Sequence, residues 1–131
     1  MPDIYNIRGL KFNYKNGFKL DIPSLAIPKG ASIGLAGLNG CGKSTLLMLL
    51  AFLKKPLNGI IYYNGKVPKH TSELQGKVTY LLQHPFLLKR NVFENVAFPL
   101  KLKNEKRSLV KDKVFNALKT VGFEPKSIAR R

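Results

Sequence analysis

Gly37-Leu38-Asn39-Gly40-Cys41-Gly42-Lys43-Ser44-Thr45 fits the pattern G-x-x-x-x-G-K-[ST], in which a curled loop cradles the phosphates of a nucleotide. The flanks fit as well. Ala31 to Ala36 reads as a short, buried, apolar strand. Thr45 to Leu53 reads as a helix apolar nearly all round, which implies burial. The order is then strand, tight loop, helix, with the loop on a helix N-terminus. A phosphate needs several donors converging on it. Backbone N–H groups supply them only where the chain curls tightly and no Cβ blocks the approach, which is the part of Gly37, Gly40 and Gly42. The helix start adds unpaired N–H groups and the positive end of its dipole. Lys43 is placed to reach the β- and γ-phosphates, Ser44 to give its hydroxyl to Mg²⁺, and Thr45 to touch the α-phosphate, with Asn39 and Cys41 completing the loop. The competing reading is a Gly-rich turn that happens to end in Lys-Ser, and the strand and helix around it weigh against that.

The totals agree with a single domain of 131 residues in which 44% apolar content suffices for a core. Lys and Arg number 23 against 7 Asp and Glu, a formal charge of +16 that raises the question of nucleic acid or an anionic membrane surface. The basic residues are scattered, however. The densest stretch, Lys101 to Lys113, is interrupted by Glu105 and Asp112, so a solvated face is the expectation. Cys41 is the only cysteine, so there is no intrachain disulfide, in agreement with a reducing cytoplasm. The longest apolar run, Leu46 to Leu53, is too short to span a bilayer, and the N-terminus does not read as a secretory signal. His70, His84 and Cys41 have no metal-ligand spacing, so no zinc site is assigned.

Ahead of the loop, Ile4 to Leu10 reads as a strand. Gly9 to Gly17 is turn-rich, with Asn13 and Asn16, and Phe18 to Ile22 alternates as a half-buried strand. Pro23, Pro28 and Gly30 punctuate the approach to the phosphate loop. This front section predicts a small antiparallel sheet. After the buried helix, Pro56 to Gly59 is a turn, Ile60 to Tyr63 a strand, and Asn64-Gly65 a hairpin signal. Val67 to Gly76 is loop with room for one helical turn, and Val78 to Leu82 is another strand ending at Gln83, broken by His84-Pro85. Asn91-Val92-Phe93-Glu94 has capping-box spacing and starts a helix at Val92, which Pro99 should end or kink. A second helix over Leu109 to Thr120 puts Val110, Val114, Ala117, Leu118 and Val121 on one face, and Gly122 is its C-cap.

Three features together resemble the ATP-binding subunit of ABC transporters. The phosphate loop is written in that family's style. Tyr14 stands at the distance before Lys43 where the family keeps the aromatic that stacks on adenine. Gln83 ends an apolar strand and is followed by Pro85-Phe86-Leu87-Leu88 and then Asn91 to Leu100, like the family's glutamine loop and the helix after it. Leu57-Asn58-Gly59 followed by Asn64-Gly65 matches its rhythm too. The resemblance implies an α/β fold, a partial P-loop NTPase core with an antiparallel β portion (about 1–30), a core (31–83) and the start of a helical subdomain (84–131). It implies ATP and Mg²⁺ as cofactors. Tyr14 would stack on the base, with Tyr5 and Phe12 as candidates for the same slot. Lys43 and Gln83 would be the catalytic pair, and Ser44 and Gln83 the Mg²⁺ contacts. Phe86, Leu87 and Leu88 would be ordinary core, or else part of a groove for a membrane subunit. The implied partners are a transmembrane permease subunit and a second ATP-binding subunit in a homodimer, at the inner face of the plasma membrane. An importer of a small ion or metabolite is favoured. A soluble ABC-type ATPase acting on nucleic acid or ribosomes is the alternative, and a small-molecule kinase leaves Tyr14 and Gln83 unexplained.

The family also carries an Asp-Glu pair after four apolar residues, a Leu-Ser-Gly-Gly signature and a switch histidine. None is present here. None of Asp3, Asp21, Glu73, Glu94, Glu105, Asp112 or Glu124 ends an apolar run of that kind. The expectation is therefore the N-terminal part of an ATPase, cut before its signature, able to bind nucleotide but not to turn it over. The loss of the later acidic strand end offers an account of the +16. The phosphate-loop strand would be left with an open edge, predicting an oligomer, a swapped arrangement or poor solubility.

Overall fold

In β1, Asp3–Asn13, the buried positions change parity: Tyr5 and Ile7 point inward, then Leu10 and Phe12. β2, Lys19–Pro28, does the same, with Leu20 and Ile22 followed by Leu25. A strand alternates strictly by two, so a change of parity demands a break in the pleat. The break falls at the same place in both strands. Ile7 pairs with Leu25 and Leu10 with Ile22, which leaves Gly9 opposite Pro23. Gly9 takes φ 56° there. Pro23 is tolerated inside β2 because that strand is at the sheet edge, in the order β2-β1-β3. The structure is a computed structural model and describes residues 2–15, 17–74 and 76–123. Asn16 of the expected turn and the stretch from Glu124 to Arg131 lie outside the described residues.

β3, Asn58–Tyr63, runs antiparallel to β1, and its register slips between Arg8 and Lys11, at the same break. The backbones come very close at that slip. A Cβ added to Gly59 would sit 2.3 Å from the carbonyl oxygen of Gly9, so no side chain fits. Asn64 and Gly65 both have positive φ, 49° and 76°, the signature of a type I′ turn, and Tyr63 and Lys66 exchange backbone hydrogen bonds of 2.8 and 3.1 Å across it. A 3-10 turn at Thr71–Leu74 occupies the loop where one helical turn was allowed.

α1, Lys43–Leu50, lays Leu46 and Leu49 on the inner face of the sheet against Ile7, Leu10 and Ile61. It buries one stripe only. Leu47 is 45% exposed, which corrects the expectation of burial all round. The helix ends three residues before Leu53 because Phe52 turns into the left-handed region at φ 57°. Its N–H then bonds the Leu49 carbonyl at 3.0 Å, and that of Leu53 bonds Met48 at 2.9 Å, the double bond of a Schellman end.

The chain divides into two compact units, 1–80 and 81–131. In the second, α2, Val92–Leu102, packs Ala97 against Val110, Val114 and Leu118 of α3, Arg107–Thr120. Asn91 caps α2, its side-chain oxygen accepting from Glu94 N–H at 2.8 Å. Pro99 does not end the helix, which continues to Leu102. Asn104, at φ 52°, and Gly122, at φ 83°, close α2 and α3 with the same C-terminal motif that Phe52 closes α1. The apolar stripe of α3 is narrower than its periodicity implied: Ala117 is exposed and Val121 is 68% exposed.

Two expected strands do not form. Residues 31–36 and 78–82 are irregular, with Ile33 60% and Leu81 80% exposed. A strand exists only where a neighbour completes its ladder, and among the described residues the three strands of the sheet pair only with one another. Phe86 and Leu87 are 90% and 80% exposed, so the assignment of this stretch to core is also overturned.

Candidate functional site

The loop before α1 owes its curl to three glycines in the conformational region that other residues resist. Gly37, Gly40 and Gly42 have φ of 154°, 81° and 102°. Two of them also lack space for a side chain. A Cβ on Gly37 would lie 2.8 Å from Cys41 Sγ, and one on Gly42 would lie 2.8 Å from the ring of Phe18 and 3.1 Å from Leu20. Gly42 is the N-cap of α1 and offers no side chain to the helix end. The first N–H groups of α1 are therefore left without a side-chain acceptor at the cap, and no acidic residue occupies the first turn. A helix start stripped of acceptors and of negative charge favours an anion.

Lys43 folds back over this curl. Its ammonium donates to the carbonyls of Gly37 at 2.7 Å and Leu38 at 2.8 Å, with Cys41 Sγ at 3.8 Å. These partners are neutral, so an anionic phosphate oxygen would outcompete them for the same cation. Ser44 is exposed and Thr45 is 7% exposed, buried with the inner face of α1. Cys41 is an exposed free thiol and Asn39 is exposed at the loop's tip. Magnesium fits this donor set only as a companion of the phosphates. Ser44 offers one neutral hydroxyl, no carboxylate lies in the loop, and no cluster of three acidic, His or Cys side chains occurs among the described residues.

Tyr14 lies in the turn between β1 and β2, where its N–H bonds Phe18 O at 3.0 Å. Its ring meets Phe12 at 4.9 Å edge-on and Phe18 at 6.0 Å, and Phe18 in turn borders the space beside Gly42. The structure thus brings an aromatic cluster to the edge of the glycine loop. Tyr5 is elsewhere, against Phe52 and Tyr63, and partial burial raises its phenol pKa above the ordinary value, helped by neighbouring Tyr63. Sequence reasoning missed Lys54. Its ammonium lies 5.0 Å from the Tyr14 ring centroid and 5.7 Å from that of Phe12, a cation–π contact that no local pattern announces. Gln83 is exposed, in a bend of the second unit. No helix among the described residues is long and apolar enough to cross a membrane.

The family model described as "ABC transporter" matches residues 20–131. The tungstate uptake system ATP-binding protein of Peptoclostridium acidaminophilum is 34% identical over 118 residues, 90% of this chain and 54% of that protein. The methionine import ATP-binding protein of Helicobacter pylori is 35% identical over 130 residues, 94% of this chain and 40% of its own length. Among solved structures, cbiO1 of Clostridium perfringens, part of the ABC transporter complex cbiONQ, superposes with a TM-score of 0.81 at 27% identity, covering 95% of this chain and 52% of that one. The chain thus spans about half the length, or less, of the relatives it matches.

Proposed function

Because the chain belongs to the ABC transporter family, we propose that it is the phosphate-gripping part of an ATP-binding subunit that energises uptake of a small ion or metabolite. The observation that carries the reading is the glycine curl at 37–42 closed by Lys43. It is supported by relatives whose names specify uptake of tungstate and import of methionine. In this reading the amides from Gly40 to Thr45 receive the phosphates, and Lys43 exchanges its two carbonyl partners for β- and γ-phosphate oxygens. Tyr14 stacks on the base, steadied by Phe12 and Phe18. Ser44 would offer its hydroxyl to Mg²⁺ carried in by the nucleotide, which would neutralise phosphate charge. A permease subunit and a second ATP-binding subunit are the proposed partners of the whole protein. The 131-residue chain binds nucleotide without turnover, since none of its acidic residues stands at the end of an apolar run where a water-positioning group is needed.

The test is the alkylation rate of Cys41, the only thiol. Saturating ATP with Mg²⁺ is expected to slow it several-fold, because the thiol lies among the phosphate-binding amides. In Lys43→Ala the protection should require about 10–100 times more nucleotide, the worth of a charged hydrogen bond of about 1.5–3 kcal/mol. Equal rates with and without nucleotide in the unaltered chain would refute the assignment. Steady hydrolysis by this chain, abolished by Lys43→Ala, would refute the absence of turnover.

A further inference from the structure

We propose that a cavity away from the glycine loop is a binding site for a small planar anion, an aromatic ring system bearing one carboxylate or sulfonate. The cavity has a volume of about 480 Å³ and lies between the end of α1, β3 and the Thr71–Leu74 turn, all within the first unit. That volume is in the range of ordinary small-molecule sites, which are mostly apolar with a few convergent polar groups. Its wall is apolar: Phe52, Ile60 and Leu74 contribute to it. Its charge is of one sign. Lys55 and Lys69 line it, while the carboxylate of Glu73 is turned to the His70 backbone N–H at 3.2 Å. Lys54 lines it too, and its ammonium lies over the ring of Tyr14.

A second feature singles out this cavity. Phe52 holds a left-handed backbone conformation, φ 57°, in a position where α3 uses Gly122. A bulky residue kept in that region is uncommon, and such positions concentrate at ligand clamps. Here the strain sets an aromatic ring in the cavity wall, backed by Tyr5 and Tyr63 at 6.5 Å each. An aromatic wall recognises a flat ring, and the lysines recognise its charge. None of the residues from Gly37 to Thr45 lines the cavity, so the assignment stands apart from the nucleotide reading.

Amide NMR of the full chain, titrated with 1-naphthoate and separately with neutral 1-naphthamide, tests it. Saturable shifts centred on residues 52–61 and 67–74 are expected, with the amide binding at least tenfold more weakly. Lys55→Glu with Lys69→Glu, at two exposed positions that leave the fold intact, should weaken naphthoate at least tenfold and leave the amide unaffected. Equal affinity for the two probes, shifts centred elsewhere, or no saturable shift would each overturn the proposal.

Discussion

Phe52 and the glycines set the terms at the level of single residues. Truncating Phe52 to Ala removes ring packing but keeps the strained backbone; truncating it to Gly removes both. Thermal or urea unfolding should therefore find Phe52→Gly less destabilising than Phe52→Ala by about 1–2 kcal/mol, the cost of the left-handed conformation for a residue with a Cβ. Equal losses would mean that the conformation carries no strain. The glycines grade the same way. Gly40→Ala meets nothing within 4 Å and pays only for its φ of 81°. Gly42→Ala adds the Phe18 ring at 2.8 Å, which can give way. Gly59→Ala meets backbone at 2.3 Å, which cannot. The expected order of destabilisation is Gly40, then Gly42, then Gly59, the last losing about 3 kcal/mol or more. Only Gly42 and Gly40 should also weaken ATP binding. The glycine curl was legible because the G-x-x-x-x-G-K-[ST] pattern encodes backbone geometry directly. Gly59 was readable only as a turn residue, since its crowding comes from Gly9, fifty positions away in the chain.

At the level of elements, what was legible is what a segment decides for itself. Asn91 and Glu94 placed the start of α2, and Asn64-Gly65 placed the turn after β3, because caps and turns are settled within four residues. The parity change of Tyr5, Ile7, Leu10 and Phe12 is also present in the sequence, yet Gly9 reads there as the point where the 4–10 strand runs into a turn-rich stretch. A bulge and a turn share the same glycine, and only pairing tells them apart. Pro99 removes one helical hydrogen bond and so reads as an end or a kink; it does not end α2, because the residue is exposed and the packing of Ala97 on α3 carries the helix past it. Pro99→Ala should accordingly stabilise the second unit by about 1–3 kcal/mol in urea unfolding, by restoring the bond to Asn95 O. Unchanged stability would show that the helix had already absorbed the defect. The unit also carries a pH signal. The Lys113 side chain donates to Glu105 and holds its carboxyl below the ordinary value. A depressed carboxylate contributes above its unfolded pKa, and the contribution is lost as pH falls through its folded value. The melting temperature of the unaltered chain should exceed that of Glu105→Gln at neutral pH, and the gap should close on acidification. A gap that persists at low pH would sink this attribution.

Over the whole molecule, the strands at 31–36 and 78–82 show where reading by segment stops. Ile33 and Leu35 carry the composition of a buried strand, and composition was all the sequence offered. The ladder that would make them one depends on neighbours distant in sequence, and the described residues supply none. A backbone in that condition exchanges its amide hydrogens with water, whereas one inside a ladder does so only on unfolding. Amides of Ile33 to Ala36 should exchange at nearly unprotected rates, while those of Ile7 and Ile61 are slowed at least about a hundredfold. Adding ATP with Mg²⁺ should protect Gly40 to Ser44 and leave Ile33 to Leu35 unaffected, because the phosphates engage the loop and not the segment before it. If Ile33 to Ala36 are instead as protected as β1, the segment has found a strand to pair with. Sedimentation then decides whether that strand belongs to a second copy, the fate expected of an apolar segment with free hydrogen-bonding groups.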